Sequence, residues 1–445
     1  MNAPSPQAHI FTSYQKFVIA MLAFLQFTVV LDFMIMSPLG AILMPALHIS
    51  TRQFGLAVSA YAFSAGIAGI LAAGFADKFD RKKILLFFYA GFVLGTFLCG
   101  IAPSYPFLMG ARIVTGLFGG VIGSVSMAII ADIFPLQVRG RVMGFVQTAF
   151  AGSQVLGLPI GLFLGNRWGW HSSFLMIVAV SSLVGIFIFV KLEPITAHIK
   201  AQTTSNPIVH LFKTVSQFRY IQAFMATTLL ATGGFMLMPF ASAFSVNNLK
   251  IPLSQLPWVY LATGISSMLM GPYLGKLSDK LGKYRMFCIG SVMGMAIVII
   301  YCNLGQTPIA GVIAINIVLF AAITMRMVSS QALASAMPDL ADRGAFMAVN
   351  NSVAQFAGGV AATIAGLIVV QTPNGPLEHY NILGYVVATA MIAAIGLMYP
   401  IHKMVMQKAA AQAPNPGMGG GAGGQGPGQV SGGQPAAAPS SSGTR

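Results

Sequence analysis

Apolar residues run along this chain in blocks of about 20, the length a helix needs to cross a bilayer. Short polar stretches separate them, and the pattern predicts twelve spanning helices. They fall at roughly 16–46, 52–76, 84–102, 106–131, 141–165 and 170–191, then 219–247, 254–277, 285–304, 308–331, 343–370 and 379–402. The sixth and seventh flank the polar linker "EPITAHIKAQTTSNPIVHLFK". The expected organisation is an N-terminal segment 1–15, a six-helix bundle 16–191, a linker 192–218, a second bundle 219–402 and a tail 403–445. The tail is rich in Gly, Pro, Ala and Ser, a composition expected to stay disordered. The N-terminus lacks the basic-then-apolar order of a cleaved signal peptide, and the first block is too long for one.

Charge then orients the spans. Of the 24 Lys and Arg, 19 fall on the side holding both termini. Arg52, Arg167 and Lys250 fall on the other, and Arg112 and Arg326 lie within spans. Basic residues collect on cytoplasmic loops, so both termini are expected in the cytoplasm. The net charge of +15 has the same explanation, and nucleic acid is not an expected partner. Composition agrees with a membrane protein: 56% of residues are hydrophobic and 7% charged, against about 25% charged in soluble domains. Cys99, Cys288 and Cys302 sit in apolar runs without metal-ligand spacing and read as small core residues. No stretch matches a P-loop, so no nucleotide or other cofactor is expected, and the chain does not read as an enzyme. Energy should come from an ion gradient.

The two halves repeat one another. "FMIMSP" from Phe33 matches "FMLMP" from Phe235, and Asp77 matches Asp279, both at an offset of 202. "RGRVM" from Arg139 matches "RGAFM" from Arg343 at an offset of 204. A parallel duplication of six spans predicts two pseudo-symmetric six-helix bundles with the substrate path between them.

The motifs resemble the major facilitator superfamily. "GKLSDKLGKYR" (Gly275–Arg285) is similar to its cytoplasmic loop pattern Gly-x-Leu-x-Asp-Arg/Lys-x-Gly-Arg/Lys. The first-half loop "AGFADKFDRKK" departs from it: Ala73 stands for the leading Gly and Asp80 for the second. "RIVTGLFGG" from Arg112 resembles the Arg-x-x-x-Gly motif of proton-coupled members. "GLPIG" (Gly157, Pro159, Gly161) is similar to the Gly-Pro motif of antiporters, with one residue inserted. With Asp32 in span one, the chain resembles the twelve-span drug:proton antiporter family, nearest its arabinose-efflux-type permeases. The resemblance covers about residues 16–402. It implies the major facilitator fold, a bacterial-type inner membrane and a monomer.

Asp32 is the acid that most needs explaining. A carboxylate in hydrocarbon costs about 2.5–3.5 kcal/mol on translocon scales. Desolvation favours its neutral form and a nearby cation its charged form. By family analogy the cation is Arg112, and the pair would carry the proton, a role compatible with Asp32 also binding the cationic group of a substrate; a static ion pair between spans one and four is the plainer reading. The resemblance gives Asp77, Arg81, Arg139, Asp279, Lys283 and Arg343 to cytoplasmic gating, with topology signalling as the alternative for such loop charges. Gly157, Pro159 and Gly161 read as a pliable, close-packed helix. Cavity candidates are the polar or polarizable Gln26, Phe33, Met34, Met36, Gln147, Gln154, Met236, Met238, Asn350, Asn351 and Gln355. Arg326 reads as structural, bonding helix ends or loop acids such as Asp339. The expected function is proton-driven export of small molecules such as drugs or sugars. A proton-coupled importer and a transport-inactive sensor or scaffold are the alternatives.

Overall fold

In a computed structural model the protein is described over residues 11–75, 78–196, 217–338, 343–371 and 375–412. The chain divides into two compact units, residues 1–405 and 406–445. The spans belong to the first unit, and only the last turns of the final helix pass into the second. Eleven helices among the described residues are long and apolar enough to cross a membrane. The remaining expected span, the eighth, also folds as a helix, Leu256–Leu281, but is less apolar, with Thr263, Ser266, Ser267 and Pro272 along it.

The N-terminal half contains α1 (Ser13–Ala46), α2 (Thr51–Phe75), α3 (Arg81–Gly100) and α4 (Tyr105–Ile133). Its fifth span is composite: α5 (Leu136–Gly152), a π turn (Ser153–Gly157) and α6 (Leu158–Trp168); α7 (His171–Lys191) follows. The C-terminal half opens with another composite span, α8 (Phe218–Leu237), a 3-10 turn (Met238–Phe240) and α9 (Ala241–Asn247). It continues with α10 (Leu256–Leu281), α11 (Lys283–Cys302), α12 (Ile309–Ala336) and α13 (Arg343–Ile368). A two-residue hairpin (Val370–Gln371 with Leu377–Glu378) leads into α14 (Tyr380–Gln412).

Local chemistry sets several of these boundaries. Thr12 and Gln15 form a capping box at the start of α1. Asp80 caps α3 by accepting from the Lys82 N–H at 2.9 Å. The same Oδ1 accepts from Ile195 N at 3.0 Å, so the chain leaving α7 is tied to the start of α3. Asp80, one of the two residues that break the first-half loop pattern, is thus a helix cap.

The apolar interior is divided unevenly. One buried cluster draws on both halves, including Leu31, Ile35, Leu39 and Phe54 with Met236, Phe240, Ala362 and Leu383. A second belongs to the N-terminal half alone, around Leu22, Phe92, Ile129 and Val146. A third belongs to the C-terminal half alone, around Tyr220, Phe287, Phe346 and Met398. The shared cluster lies toward the end of the molecule that carries loops 47–50, 101–104, 248–255 and 303–308, called here the closed end.

Backbone proximity holds that end together. A Cβ at Gly55 would lie 2.7 Å from the Ala362 carbonyl oxygen, and one at Gly366 would lie 2.9 Å from that of Thr51. Small residues are what let α2 and α13 approach this closely. Hydroxyls lock the contact: Thr51 donates to Val369 O at 2.5 Å, Ser59 to Gly359 O at 2.8 Å, and Thr363 to Ser59 at 2.8 Å. Between α1 and the broken span, Ser37 donates to the Met238 carbonyl and Ser242 donates to Ser37 O at 2.7 Å.

Candidate functional site

Asp32 and Arg112 meet in the interior of the N-terminal half. Arg112 Nη1 lies 2.9 Å from Asp32 Oδ2, and both side chains are wholly buried. Thr96 of α3 donates to the other carboxylate oxygen at 3.0 Å. The Tyr61 ring of α2 lies under the guanidinium, 4.6 Å from Cζ to centroid. Four helices therefore converge on one ion pair.

The glycines of the span-four motif explain the convergence. A Cβ at Gly116 would strike the Tyr61 carbonyl oxygen at 2.5 Å, and one at Gly119 would meet the Tyr61 hydroxyl at 2.8 Å. Without side chains there, α2 lies flat on α4 and Tyr61 covers Arg112. Arg112 still keeps Nε and Nη2 without hydrogen-bond partners. The two charges compensate each other, which a buried carboxylate requires.

A row of rings runs from this pair to the other half. Tyr61 packs on Phe33 with centroids 5.3 Å apart, and Phe33 packs on Phe235 at 5.5 Å. Phe33, Met36 and Met238 share a void of about 10 Å³ with Ser37, Val58, Phe235 and Pro239. Of the other cavity candidates, Met34 and Met236 are buried in the shared cluster. Gln154 is buried in the π turn, and Gln26, Asn350 and Gln355 are half-buried. Gln147 and Asn351 are exposed. Asn350 accepts from Thr227 of α8 at 2.7 Å. The eleven cavity candidates are therefore spread over several layers, and only the Phe33, Met36 and Met238 group is gathered at one point.

The span-five motif is a packing device. Cβ atoms at Gly157, Gly161 and Gly165 would lie 2.6, 2.7 and 2.9 Å from side-chain carbons of Leu31, Ile35 and Leu39. These are one residue per turn on α1, set into a glycine groove. Pro159 falls in the first turn of α6, directly after helical residues, so its missing N–H interrupts the hydrogen-bond ladder there. The π turn directly before it absorbs the break.

Four of the six candidate gating charges have a partner in their own half. Arg81 pairs with Asp132 at 2.9 Å. Arg139 donates to the carbonyls of Phe134 and Ala131 at the end of α4. Asp279 pairs with Lys283 one turn on. Asp77 and Asp339 lie outside the described residues, as does the Arg343 side chain at the start of α13. Sequence reasoning missed Thr96 and Tyr61. Their only signal was a hydroxyl or phenol inside an apolar run. Arg326 is deeper than a helix-end bond would place it: it is 5% exposed, over the Phe287 ring at 5.7 Å.

Comparison with known proteins agrees with this architecture. The D-xylose-proton symporter crystal structure superposes with a TM-score of 0.71 at 16% identity, covering 87% of this chain and 98% of that one. An uncharacterized MFS-type transporter, YceJ of Bacillus subtilis (strain 168), is 29% identical over 269 residues, 60% of this chain and 68% of that one. The multi-drug resistance efflux pump PmrA homolog of Lactococcus lactis subsp. lactis (strain IL1403) is 29% identical over 251 residues, 54% of this chain and 59% of that one. The family model of the Major Facilitator Superfamily matches residues 22–363. The chain belongs to the Major Facilitator Superfamily, and its fold is that of a membrane transporter.

Proposed function

We propose that the protein exports small organic molecules in exchange for protons, by alternating access, as a single chain in a bacterial-type inner membrane. The observation that carries this reading is the wholly buried Asp32–Arg112 pair. Intramembrane acids are functional by default because their cost must be offset by use. A proton on Asp32 removes the charge that ties α1 to α4 and leaves Arg112 held by Tyr61. The row Tyr61–Phe33–Phe235 then carries the change to the opposite half. The relative named as a multi-drug resistance efflux pump homolog supports export as the direction. The Lys and Arg distribution supports cytoplasmic termini, with the closed end facing outward.

The test uses proteoliposomes with an acidic interior and a trapped pH dye. Lipophilic cations, neutral drugs, pentoses and organic acids are added outside, for wild type and Asp32→Asn. Substrate entering in exchange for protons raises the interior pH in wild type and not in the variant. Gradient-free counterflow of the same compound persists in both. Counterflow in wild type without any proton movement would sink the coupling.

A further inference from the structure

We infer that the exported compound carries a carboxylate or similar two-oxygen anion, and that Arg326 in the C-terminal half is the cation that receives it. This rests on the transport reading above and names its substrate class.

Arg326 lies in α12, 5% exposed, and its Nε and Nη2 have no hydrogen-bond partner among the described residues. Glycines on two neighbouring helices border it closely. A Cβ at Gly290 of α11 would lie 3.3 Å from Arg326 Cγ, and one at Gly233 of α8 would lie 3.6 Å from Nη1. The next residue, Gly234, is exposed, and a Cβ there would meet nothing within 4 Å. Nη1 thus lies beside the Gly233–Gly234 stretch of α8, which carries no side chains.

Charge balance makes the site unlike the rest of the interior. The buried charged side chains among the described residues are Asp32, Arg81, Arg112 and Arg326. Arg112 is compensated by Asp32 and Arg81 by Asp132. Arg326 has the Phe287 ring and no acid among the described residues. A desolvated cation facing only a ring quadrupole is under-compensated. An anion bound there gains that compensation, less the cost of its own desolvation.

The free edge specifies the anion's shape. Nε–H and Nη2–H point in parallel along one edge, within the guanidinium plane. That fork matches the two oxygens of a carboxylate, one hydrogen bond to each. One uncompensated positive charge calls for one negative charge, so a monoanion balances the site. The N-terminal half, already neutral through Asp32 and Arg112, is left free for the proton.

The experiment measures thermal unfolding of the full-length protein in lipid nanodiscs at fixed ionic strength. The probes are benzoate and 4-phenylbutyrate, each against its neutral amide. Wild type is compared with Arg326→Gln, Arg326→Lys and Asp32→Asn. The expected result is a saturable rise in the wild-type midpoint with a carboxylate and none with its amide. Arg326→Gln weakens the apparent affinity at least tenfold, and Arg326→Lys, which keeps charge without the fork, falls between. Ligand-free Arg326→Gln unfolds at the wild-type temperature or above, because it removes an uncompensated charge. A ligand-free midpoint several degrees lower would make Arg326 a structural tie and overturn the proposal. So would equal carboxylate responses in wild type and Arg326→Gln, or no response to either acid in wild type. Asp32→Asn keeps the carboxylate response, so a failure of proton coupling and a failure of this site are read separately.

Discussion

Asp32 and Arg112 each offset the burial cost of the other. Neutralising one leaves the other buried and uncompensated, at a cost of about 3–5 kcal/mol. Asp32→Asn and Arg112→Gln are therefore each expected to lower the unfolding free energy by that amount. The double substitution should recover most of the loss. Denaturant unfolding of the four proteins checks this, and additive losses would mean that the two side chains are not coupled. Asp32 was legible in the sequence because an acid in an apolar run has few reasons to be there. Thr96 and Tyr61 were not, because hydroxyls and phenols are ordinary in membrane helices. Their role exists only once Gly116 and Gly119 have let α2 onto α4.

At the scale of elements, the same sequence motif gives two local structures. "FMIMSP" leaves α1 helical through Pro38, whereas "FMLMP" breaks span seven into a 3-10 turn at Met238–Phe240. The duplication was legible; the break was not, because it depends on Ser37 and Ser242 bonding across the halves to backbone carbonyls. The "GLPIG" segment was read as pliable and close-packed. In the structure the glycines form the close-packed groove for α1, and a π turn precedes Pro159. Gly161→Val would drive a side chain into Ile35 and cost about 1–3 kcal/mol by overpacking. Adding Ile35→Ala should return part of that loss. If the second substitution instead adds to the first in thermal unfolding, the groove does not set the contact.

For the whole molecule, the closed end is held by backbone approach, which cannot yield as a side chain can. A Cβ at Gly55 meets a carbonyl oxygen of α13, so Gly55→Ala must push α2 and α13 apart. The predicted effect is a shift of population toward the state in which this end opens and the opposite end draws together. Spin labels at Lys191 and Lys403, exposed residues of different halves, would read it. Pulsed dipolar spectroscopy should show a shorter distance population growing in the variant. An unchanged distance distribution would mean that the glycine contact does not hold the equilibrium.

The division of the apolar interior also has a consequence for how the chain is made. The cluster private to the N-terminal half has all its buried members by Ile195, long before the second half emerges. The shared cluster reaches from Leu31 to Met391 and cannot be complete until nearly the whole chain has been synthesised. The layer shared by the two halves is therefore a late product of synthesis, completed only shortly before the cluster private to the C-terminal half, whose last buried member is Ile401.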